Sequence, residues 1–225
     1  LLVLVVAFGV GVAGGSAALL VVGSPDLSPS GAAVAAALRR VGVGLTTLTE
    51  HEAPPGVTHA YRAGGSDIDL AVDMRSDADR DRDAVARLYG RIRTRTAARG
   101  ELLVSVEEAT ERAAFMGLWL DRLGLRAAQP HAVARLAPGA ALLAHDRVPG
   151  TRLSERGADL DVDEMADAWR AIAALHTGHV AHGALDLDAV AIDGDGNAWL
   201  QRLQSASLDA PDALLMTDRA TFLVA

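Results

Sequence analysis

Residues 175–206, LHTGHVAHGALDLDAVAIDGDGNAWLQRLQSA, decide which fold the sequence predicts. The run that leads into them, ADAWRAIAALH over residues 166–176, carries its apolar residues at helical spacing. Two apolar runs, LDAVAID and NAWLQRL, flank the turn sequence DGDG, which is typical of a β-hairpin. The stretch therefore predicts a helix, a histidine-rich loop and two short paired strands.

Upstream of this stretch, strand-like and helix-like patterns alternate. Five runs have the character of strands: VGLTTLTE, VTHAYRA, DIDLAVDM, HAVARLA and ALLAHDRV. Residues 77–95 and 106–123 carry apolar residues at helical spacing and follow the third run. The order is thus β-rich with an inserted pair of helices, then a helix, a hairpin and a final helix, which predicts an α+β fold.

The first 23 residues, LLVLVVAFGVGVAGGSAALLVVG, contain no charged side chain. As a helix they would extend about 34 Å, slightly more than the hydrocarbon core of a bilayer. We therefore expect a transmembrane helix over residues 1–23, followed by a Ser-Pro linker and an Ala-rich helix over residues 24–41. Because the chain begins without Met and stops within the apolar run RATFLVA, we expect it to be a fragment of a longer protein.

Composition excludes several classes of function. The net charge of −8 lacks the basic footprint that binding to a phosphate backbone requires, so nucleic acid is not an expected partner. The chain has no cysteine, which excludes disulfides, thiolate metal sites and cysteine nucleophiles. All 21 basic side chains are arginine, so these residues supply neither a phosphate-binding nor a Schiff-base lysine.

The layout of residues 175–206 resembles the catalytic and metal-binding core of protein-kinase-like phosphotransferases. In that family a helix ends in Leu-His and is followed by His-x-Asp, an Asn, a hairpin and Asp-Phe-Gly. Leu175, His176 and His182 match this pattern. Ala184 stands at the position of the catalytic Asp and Ala189 at that of the metal-binding Asn, so the resemblance implies that both functions are lost.

The remaining family positions also depart from the pattern. Arg202 begins the Arg-Leu-Gln in the Asp-Phe-Gly slot, where the family has its main Mg²⁺ ligand. If DLAVDM is the third strand, Asp73 replaces the phosphate-binding lysine and repels phosphates. Glu111 is then the counterpart of the helix glutamate and is expected to face Asp73, with Arg112 or solvent balancing the two acids. The loop HEAPPG, whose one glycine is Gly56, is no glycine-rich phosphate cradle.

Two matching residues resemble structural parts of the family. Asp218, in MTDRATFLVA, is similar to the aspartate that begins a large-lobe helix and braces the backbone of the catalytic loop. The resemblance implies that His182 and Asp218 preserve the shape of the loop without catalysis. We therefore expect a kinase-like two-lobed domain, with the small lobe and hinge over residues 42–148 and the incomplete start of the large lobe over residues 149–225.

The whole arrangement is similar to a narrower family. An apolar span, a Ser-Pro linker, an Ala-rich helix and a degenerate kinase-like domain with HDRVPGTRLSE at its hinge resemble actinobacterial integral membrane proteins with a lysylphosphatidylglycerol-synthase-type, flippase-like transmembrane region. The resemblance implies residence in the cell membrane, a downstream transmembrane region as partner, and a link to lipid or cell-envelope handling. Arg39 and Arg40 follow the span and favour a cytoplasmic kinase-like domain.

Two stretches resemble metal sites, one for zinc and one for calcium, but neither has the full set of ligands. We therefore expect neither a metal nor a cofactor. The three histidines of residues 176–182 have irregular spacing for one helix face and no fourth ligand for zinc. Residues 193–197, DGDGN, begin like a calcium loop, but Ala198 and Gln204 occupy positions that need Gly and Glu. The acidic run over residues 159–164 is typical of the start of a helix.

The leading hypothesis is a catalytically inactive kinase-like domain, attached to a membrane protein, that acts as a regulatory or interaction module. It rests on the combined loss of the general base, both metal-ligand positions and the lysine. One alternative is an atypical nucleotide sensor or phosphotransferase in which arginines such as Arg202 hold the phosphates. Another is a gene fragment without an independent function.

Overall fold

The computed structural model describes residues 29–54, 56–76, 105–137, 139–157 and 160–225. Two predicted elements lie outside these ranges, namely the transmembrane helix over residues 1–23 and the helix over residues 77–95. Within the described ranges, no helix has the length and apolar character needed to cross a bilayer.

The first part of the molecule is a five-stranded antiparallel sheet with the strand order β1-β2-β3-β5-β4. Its strands are β1 (Thr47–His51), β2 (His59–Gly64), β3 (Asp69–Ser76), β4 (Pro130–Ala137) and β5 (Ala140–Asp146). Helix α1 (Gly31–Arg40) precedes the sheet, and Ser30 caps it by accepting a hydrogen bond from the Ala33 amide. All five strand-like runs of the sequence therefore contribute to one sheet.

The alternation of residues along β3 explains how the sheet is covered. Leu70, Val72 and Met74 are buried at every second position, as expected for a strand with one face against a core. They belong to one hydrophobic cluster with Val34 and Leu38 of α1. The Ala-rich helix, which the sequence places after a linker and before the small lobe, thus packs against the sheet and shares its hydrophobic cluster.

Helix α2 (Val106–Arg122) follows β3 and precedes β4 in the order of described elements. Ser105 caps it by accepting a 3.1 Å hydrogen bond from the Glu108 amide. Met116 and Leu120 of this helix are buried in the hydrophobic cluster of the second part of the molecule, not in that of the five-stranded sheet. The helix therefore connects the two parts.

The second part combines helices with a three-stranded antiparallel sheet in the order β6-β7-β8. Its elements are β6 (Thr151–Arg152), α3 (Leu153–Arg156), α4 (Val162–Thr177), β7 (Val190–Ile192), β8 (Ala198–Leu200) and α5 (Asp212–Val224). Asp161 and Glu164, from the acidic run, form a reciprocal capping box at the start of α4. β7 and β8 form the predicted hairpin, and the mixture of sheets and helices confirms the α+β class.

The link between the two parts depends on Gly150, whose φ of +87° is left-handed. A β-carbon at this position would lie 1.8 Å from the carbonyl oxygen of Ile192 in β7. The chain can therefore pass this close to the hairpin only if residue 150 has no side chain.

We expect Gly150→Ala to lower the free energy of unfolding by at least about 3 kcal/mol, since the backbone clash adds to the cost of a left-handed residue. Gly124→Ala is the matched control, because Gly124 has a φ of +70° but nothing within 4 Å of an added β-carbon. That control should lose about 1 kcal/mol. Urea unfolding of the full chain, followed by circular dichroism, measures both, and equal losses would contradict the interpretation.

Candidate functional site

A cleft of about 640 Å³, including the space open to solvent at its mouth, lies between the two sheets. Its upper wall comes from the β1–β2 loop, β3 and β5, and its back includes Ala113 of α2. Its floor includes Arg152, Asp188 and residues 200–203. The cleft thereby brings residues from both halves of the chain, including Asp73 and the predicted position Arg202, around one space.

Asp73 projects from β3 between two basic side chains. Its Oδ2 atom lies 3.4 Å from Nε2 of His145 and 3.8 Å from Nη2 of Arg75. The other ring nitrogen of His145, Nδ1, donates to the carbonyl oxygen of Asp146 at 2.7 Å. Arg75 donates from Nε to the carbonyl oxygen of Gly56 at 3.1 Å. Both ring nitrogens of His145 face oxygen acceptors, which favours the imidazolium form.

The contact between Asp73 and His145 changes the pKa values of both residues in opposite directions. Burial acts to raise the pKa of Asp73, but the hydrogen bond and charge of His145, helped by Arg75, hold it below its ordinary value. Burial likewise acts to lower the pKa of His145, and the contact with Asp73 outweighs it, so that this pKa is raised. The negative charge of Asp73 is therefore compensated within the chain, which the sequence did not indicate.

Asp218 of α5 holds the loop that contains His182. Its Oδ2 accepts a 2.6 Å hydrogen bond from the His182 amide, and its Oδ1 accepts a 3.0 Å bond from the Gly183 amide. Nε2 of His176 lies 3.4 Å from the same Oδ2. Since Nε of Arg219 donates to Nδ1 of His176 at 3.1 Å, the proton of neutral His176 is on Nε2 and points to the carboxylate. The buried carboxylate is thus surrounded by donors.

The ring of His182 is buried, and both of its nitrogens are engaged. Nε2 donates to the carbonyl oxygen of Gln201 at 2.7 Å, and Nδ1 accepts from the amide of Ala184 at 3.3 Å. Burial lowers the pKa of His182, so the ring is neutral near pH 7. Its contacts connect the loop to the segment after β8 and leave neither ring nitrogen available for proton transfer.

Arg202 contacts both carboxylate oxygens of Asp186 through Nη1, at 2.7 Å and 2.9 Å. Its backbone is left-handed, with φ 58° and ψ 46°, which is uncommon for a residue with a side chain. Asp186 also accepts a 3.0 Å hydrogen bond from the Asp188 amide. At the position that the resemblance assigns to a Mg²⁺ ligand, the chain therefore has a cation that is held by an acid of the loop.

Ala184 and Ala189 lie in the same loop on either side of Asp186. Ala189 is buried at the end of a short 3-10 turn, and its carbonyl oxygen accepts a 2.9 Å bond from the Gln201 amide. Methyl side chains at both positions offer neither a general base nor an oxygen ligand for a metal.

Asp193 shows how the DGDGN sequence is used. Its carboxylate accepts hydrogen bonds from Nε1 of Trp199 at 2.9 Å and from the amides of Asp195 and Asn197 at 3.0 Å and 2.8 Å. These bonds, with that from Trp199 the largest, lower the pKa of Asp193 to about 2. The residue therefore closes the hairpin turn. Across the part of the chain that the structure describes, no cluster of three or more acidic or histidine side chains could hold a metal ion.

The expectation that Glu111 faces Asp73 is wrong. Oε1 of Glu111 accepts a 3.0 Å hydrogen bond from Nη2 of Arg135 on β4, and 54% of the Glu111 side chain is exposed. Arg112 pairs with an acid of its own helix. The α2 residue that lines the cleft is Ala113, which lies about 200° around the helix from Glu111.

His145 and Asp186 determine the charge balance of the cleft, and the sequence did not single out either of them. His145 becomes a neighbour of Asp73 only through the register of β3 against β5, in which Asp73 is opposite Leu143. Asp186 lies in a loop, where no periodicity predicts the direction of a side chain. The sequence could have pointed to His145 only through its spacing. It comes two residues after Leu143, so both side chains lie on one face of a strand.

Comparisons with known proteins identify no family for this chain. No protein-family model matches the chain, and no curated protein matches it either. Many solved structures match, and among them are two at 16% identity, one described as monomeric WbdD with a TM-score of 0.42 and one as the bifunctional kinase-methyltransferase WbdD with a TM-score of 0.46. Each match covers 72% of this chain and 36% or 33% of the other, so the chain spans about a third of their length. Likenesses of this degree carry no assignment of function.

The pair of Asp73 and His145 should make stability depend on pH. The raised pKa of His145 contributes stability that is complete below its ordinary pKa and lost as pH rises through the raised value. The lowered pKa of Asp73 contributes stability above the ordinary pKa of Asp that is lost as pH falls through the lowered value. The pair therefore contributes most between about pH 4 and pH 6.5.

We expect Asp73→Asn to cost about 2 kcal/mol of unfolding free energy at pH 5.5 and less at pH 9. Asp69→Asn on the same strand is the control, because Asp69 pairs with Arg62 and Arg147 rather than with a histidine. Its effect should be the same at both pH values. Urea unfolding at the two pH values measures the free energy of unfolding of each variant. A loss for Asp73→Asn that does not change with pH would show that His145 is not the partner.

Asp218→Asn should destabilise the chain by about 2–4 kcal/mol, because an amide nitrogen would then face one of the backbone donors in a buried site. Asp212→Asn, at an exposed position of the same helix, is the control and should change stability little. Thermal unfolding of both variants measures the difference. If the two variants behave alike, Asp218 does not hold the loop.

Proposed function

We propose that this chain carries a kinase-like domain that has lost phosphotransfer and acts as a regulatory or interaction module. The observation that carries the proposal is the set of residues at four positions, Asp73, Ala184, Ala189 and Arg202. An acid, two methyl groups and a cation stand where phosphotransfer needs a lysine, a general base and two metal ligands.

The order of the elements supports a kinase-like domain. A five-stranded antiparallel sheet, with a helix between its third and fourth strands, is followed by a short link, a long helix, a loop and a hairpin. The cleft lies between these two parts. Since a fold hosts many functions, the residues of the site, and not the fold, support the loss of activity.

Neighbouring groups are poorly placed to replace the missing ones. Both ring nitrogens of His182 are engaged, and the carboxylate of Asp186 is held by Arg202 and by the Asp188 amide. A carboxylate that is hydrogen-bonded in its charged form accepts a proton less readily. A missing general base alone lowers the rate by about 10²–10⁴-fold, and the metal ligands are missing as well.

The membrane part of the proposal rests on sequence pattern. Residues 1–23 are apolar and long enough to span a bilayer, and Arg39 and Arg40 follow them. We propose that they attach the domain to the cell membrane with the domain in the cytoplasm. Its partner is then a downstream transmembrane region of the lysylphosphatidylglycerol-synthase type, and its role lies in lipid or cell-envelope handling.

A nucleotide sensor is the second candidate. It is favoured by three arginines that line the cleft, Arg75, Arg152 and Arg202. Each of them already contacts a carbonyl or carboxylate oxygen of the chain, so a phosphate would have to displace that partner. This candidate is therefore the weaker of the two.

The proposal predicts that the full chain transfers no phosphate from ATP. It also predicts that Mg²⁺ does not change the unfolding temperature in the presence of millimolar ATP. A nucleotide at 100 times its dissociation constant would add about 2.7 kcal/mol, which is a shift of several degrees for a domain of this size.

Radiolabelled ATP and thermal unfolding, each with Mg²⁺ or with a chelator, measure the two quantities on the same preparation. Asp186→Asn serves as the matched variant, because it keeps the size of the side chain and its hydrogen-bond acceptor. Phosphate release that needs Mg²⁺ and is lost in Asp186→Asn would overturn the proposal and make that aspartate catalytic.

A further inference from the structure

The charged side chains on the wall formed by the five-stranded sheet are paired with one another. Asp73 lies 3.4 Å from His145 and 3.8 Å from Arg75, and Arg75 also donates to the carbonyl oxygen of Gly56. The side chains of the three ionisable residues are at most 18% exposed. A ligand that enters from the mouth therefore meets a compensated set of charges on this side.

The charges on the floor are also paired. Arg202 contacts both carboxylate oxygens of Asp186, and Arg152 contacts Glu155 at 2.5 Å. Asp188 accepts a hydrogen bond from a serine hydroxyl of α3. Each of the two floor cations thus has a carboxylate of the same chain beside it.

The sum of these charges leaves no surplus for an anion. With His145 protonated, the ionisable residues that line the cleft and their direct partners carry four positive and four negative charges. With His145 neutral, the balance is negative by one. A phosphorylated ligand would have to break one of the pairs or be buried without a counter-charge, and both are costly.

The rest of the lining suits an apolar molecule. Nine of the sixteen lining residues are aliphatic or proline, among them Val57, Leu143, Leu200 and Leu203. One polar atom stands out, since Nε of Arg202 is buried and has no hydrogen-bond partner among the described residues. A buried donor without an acceptor is costly, and a ligand oxygen that reached it would remove that cost.

We propose that the cleft binds an uncharged, largely apolar small molecule that has a hydrogen-bond acceptor for the Nε–H of Arg202. The ligand class is that of aromatic or aliphatic ketones, esters and amides, not nucleotides. The inference rests on the proposed function, because it assigns to the same cleft a ligand that replaces the nucleotide.

Three ligands with the same ring system test the inference. They are 2-acetylnaphthalene, which is neutral with a carbonyl acceptor, naphthalene, which has no acceptor, and 2-naphthoate, which is an anion. We expect the full chain to bind 2-acetylnaphthalene at least about fivefold more tightly than either of the others, because only this ligand satisfies Arg202 without bringing a charge. Ligand-observed NMR titration measures the three affinities, and equal or tighter binding of naphthoate would overturn the inference.

Two variants test the location. Ala113→Phe fills the back of the cleft and should abolish binding of 2-acetylnaphthalene. Leu118→Ala is its control on the same helix, because Leu118 is 54% exposed and is not among the lining residues. Binding that persists in Ala113→Phe, or is lost in Leu118→Ala, would place the ligand on another apolar surface and refute the cleft as its site.

Asp186→Asn tests the role of charge without filling the cleft. It removes the negative charge beside Arg202, while the amide oxygen of the new side chain can still accept from the Asp188 amide. The affinity for naphthoate should then rise above that for 2-acetylnaphthalene, and an unchanged order of affinities would contradict the argument from paired charges. The outcomes remain separate from those for the proposed function, since phosphate transfer from ATP tests activity and the naphthalene series tests the ligand.

Discussion

The buried carboxylate of Asp218 is the contact on which the lower half of the molecule depends. Two backbone amides of the loop, those of His182 and Gly183, donate to it, and His176 adds a third donor. Once the loop is held, the ring of His182 reaches the carbonyl oxygen of Gln201, and the residue after Gln201 is Arg202. A single acid in α5 thus sets the position of the floor of the cleft through two steps of hydrogen bonding. Because the acceptor is charged and the donors are backbone groups, this arrangement is independent of whether the neighbouring side chains can carry out chemistry.

The same cleft shows how charged residues from two parts of the chain are balanced against one another. The cleft has ion pairs within the chain, with Asp73 between His145 and Arg75 and Asp186 against Arg202. Buried or half-buried charges of this kind are tolerable only when they are paired, so each of these residues depends on a partner nearby. The electrostatic balance of the cleft is therefore a property of the set of residues, and no single position explains it.

The sequence was a good guide where periodicity or local chemistry acts. The five strand-like runs, the helix of residues 106–122 and the hairpin after His182 are all present, and Asp218 lies where it was expected, against the loop of His182. It was a poor guide where register and tertiary contacts decide. The sequence places Glu111 on the face of α2 toward Asp73, whereas the Glu111 carboxylate accepts a hydrogen bond from Arg135. A helix rotates by about 100° per residue, and the spacing of its apolar residues does not fix which polar residue turns inward. The partnership of Asp73 with His145 depends on which strands are neighbours, since β5 lies beside β3 in the sheet although about seventy residues separate the two in sequence.

Helix α2 has a consequence for how the molecule comes apart. It contacts the five-stranded sheet on one side, while Met116 and Leu120 are buried among residues of the second part, including the segment after β8. Pulling the two parts away from each other would leave Met116 and Leu120 covered by the second part, but it would break the contact of the helix with β4 and β5. The contact between this helix and the five-stranded sheet is consequently one that must break before the two walls of the cleft can separate.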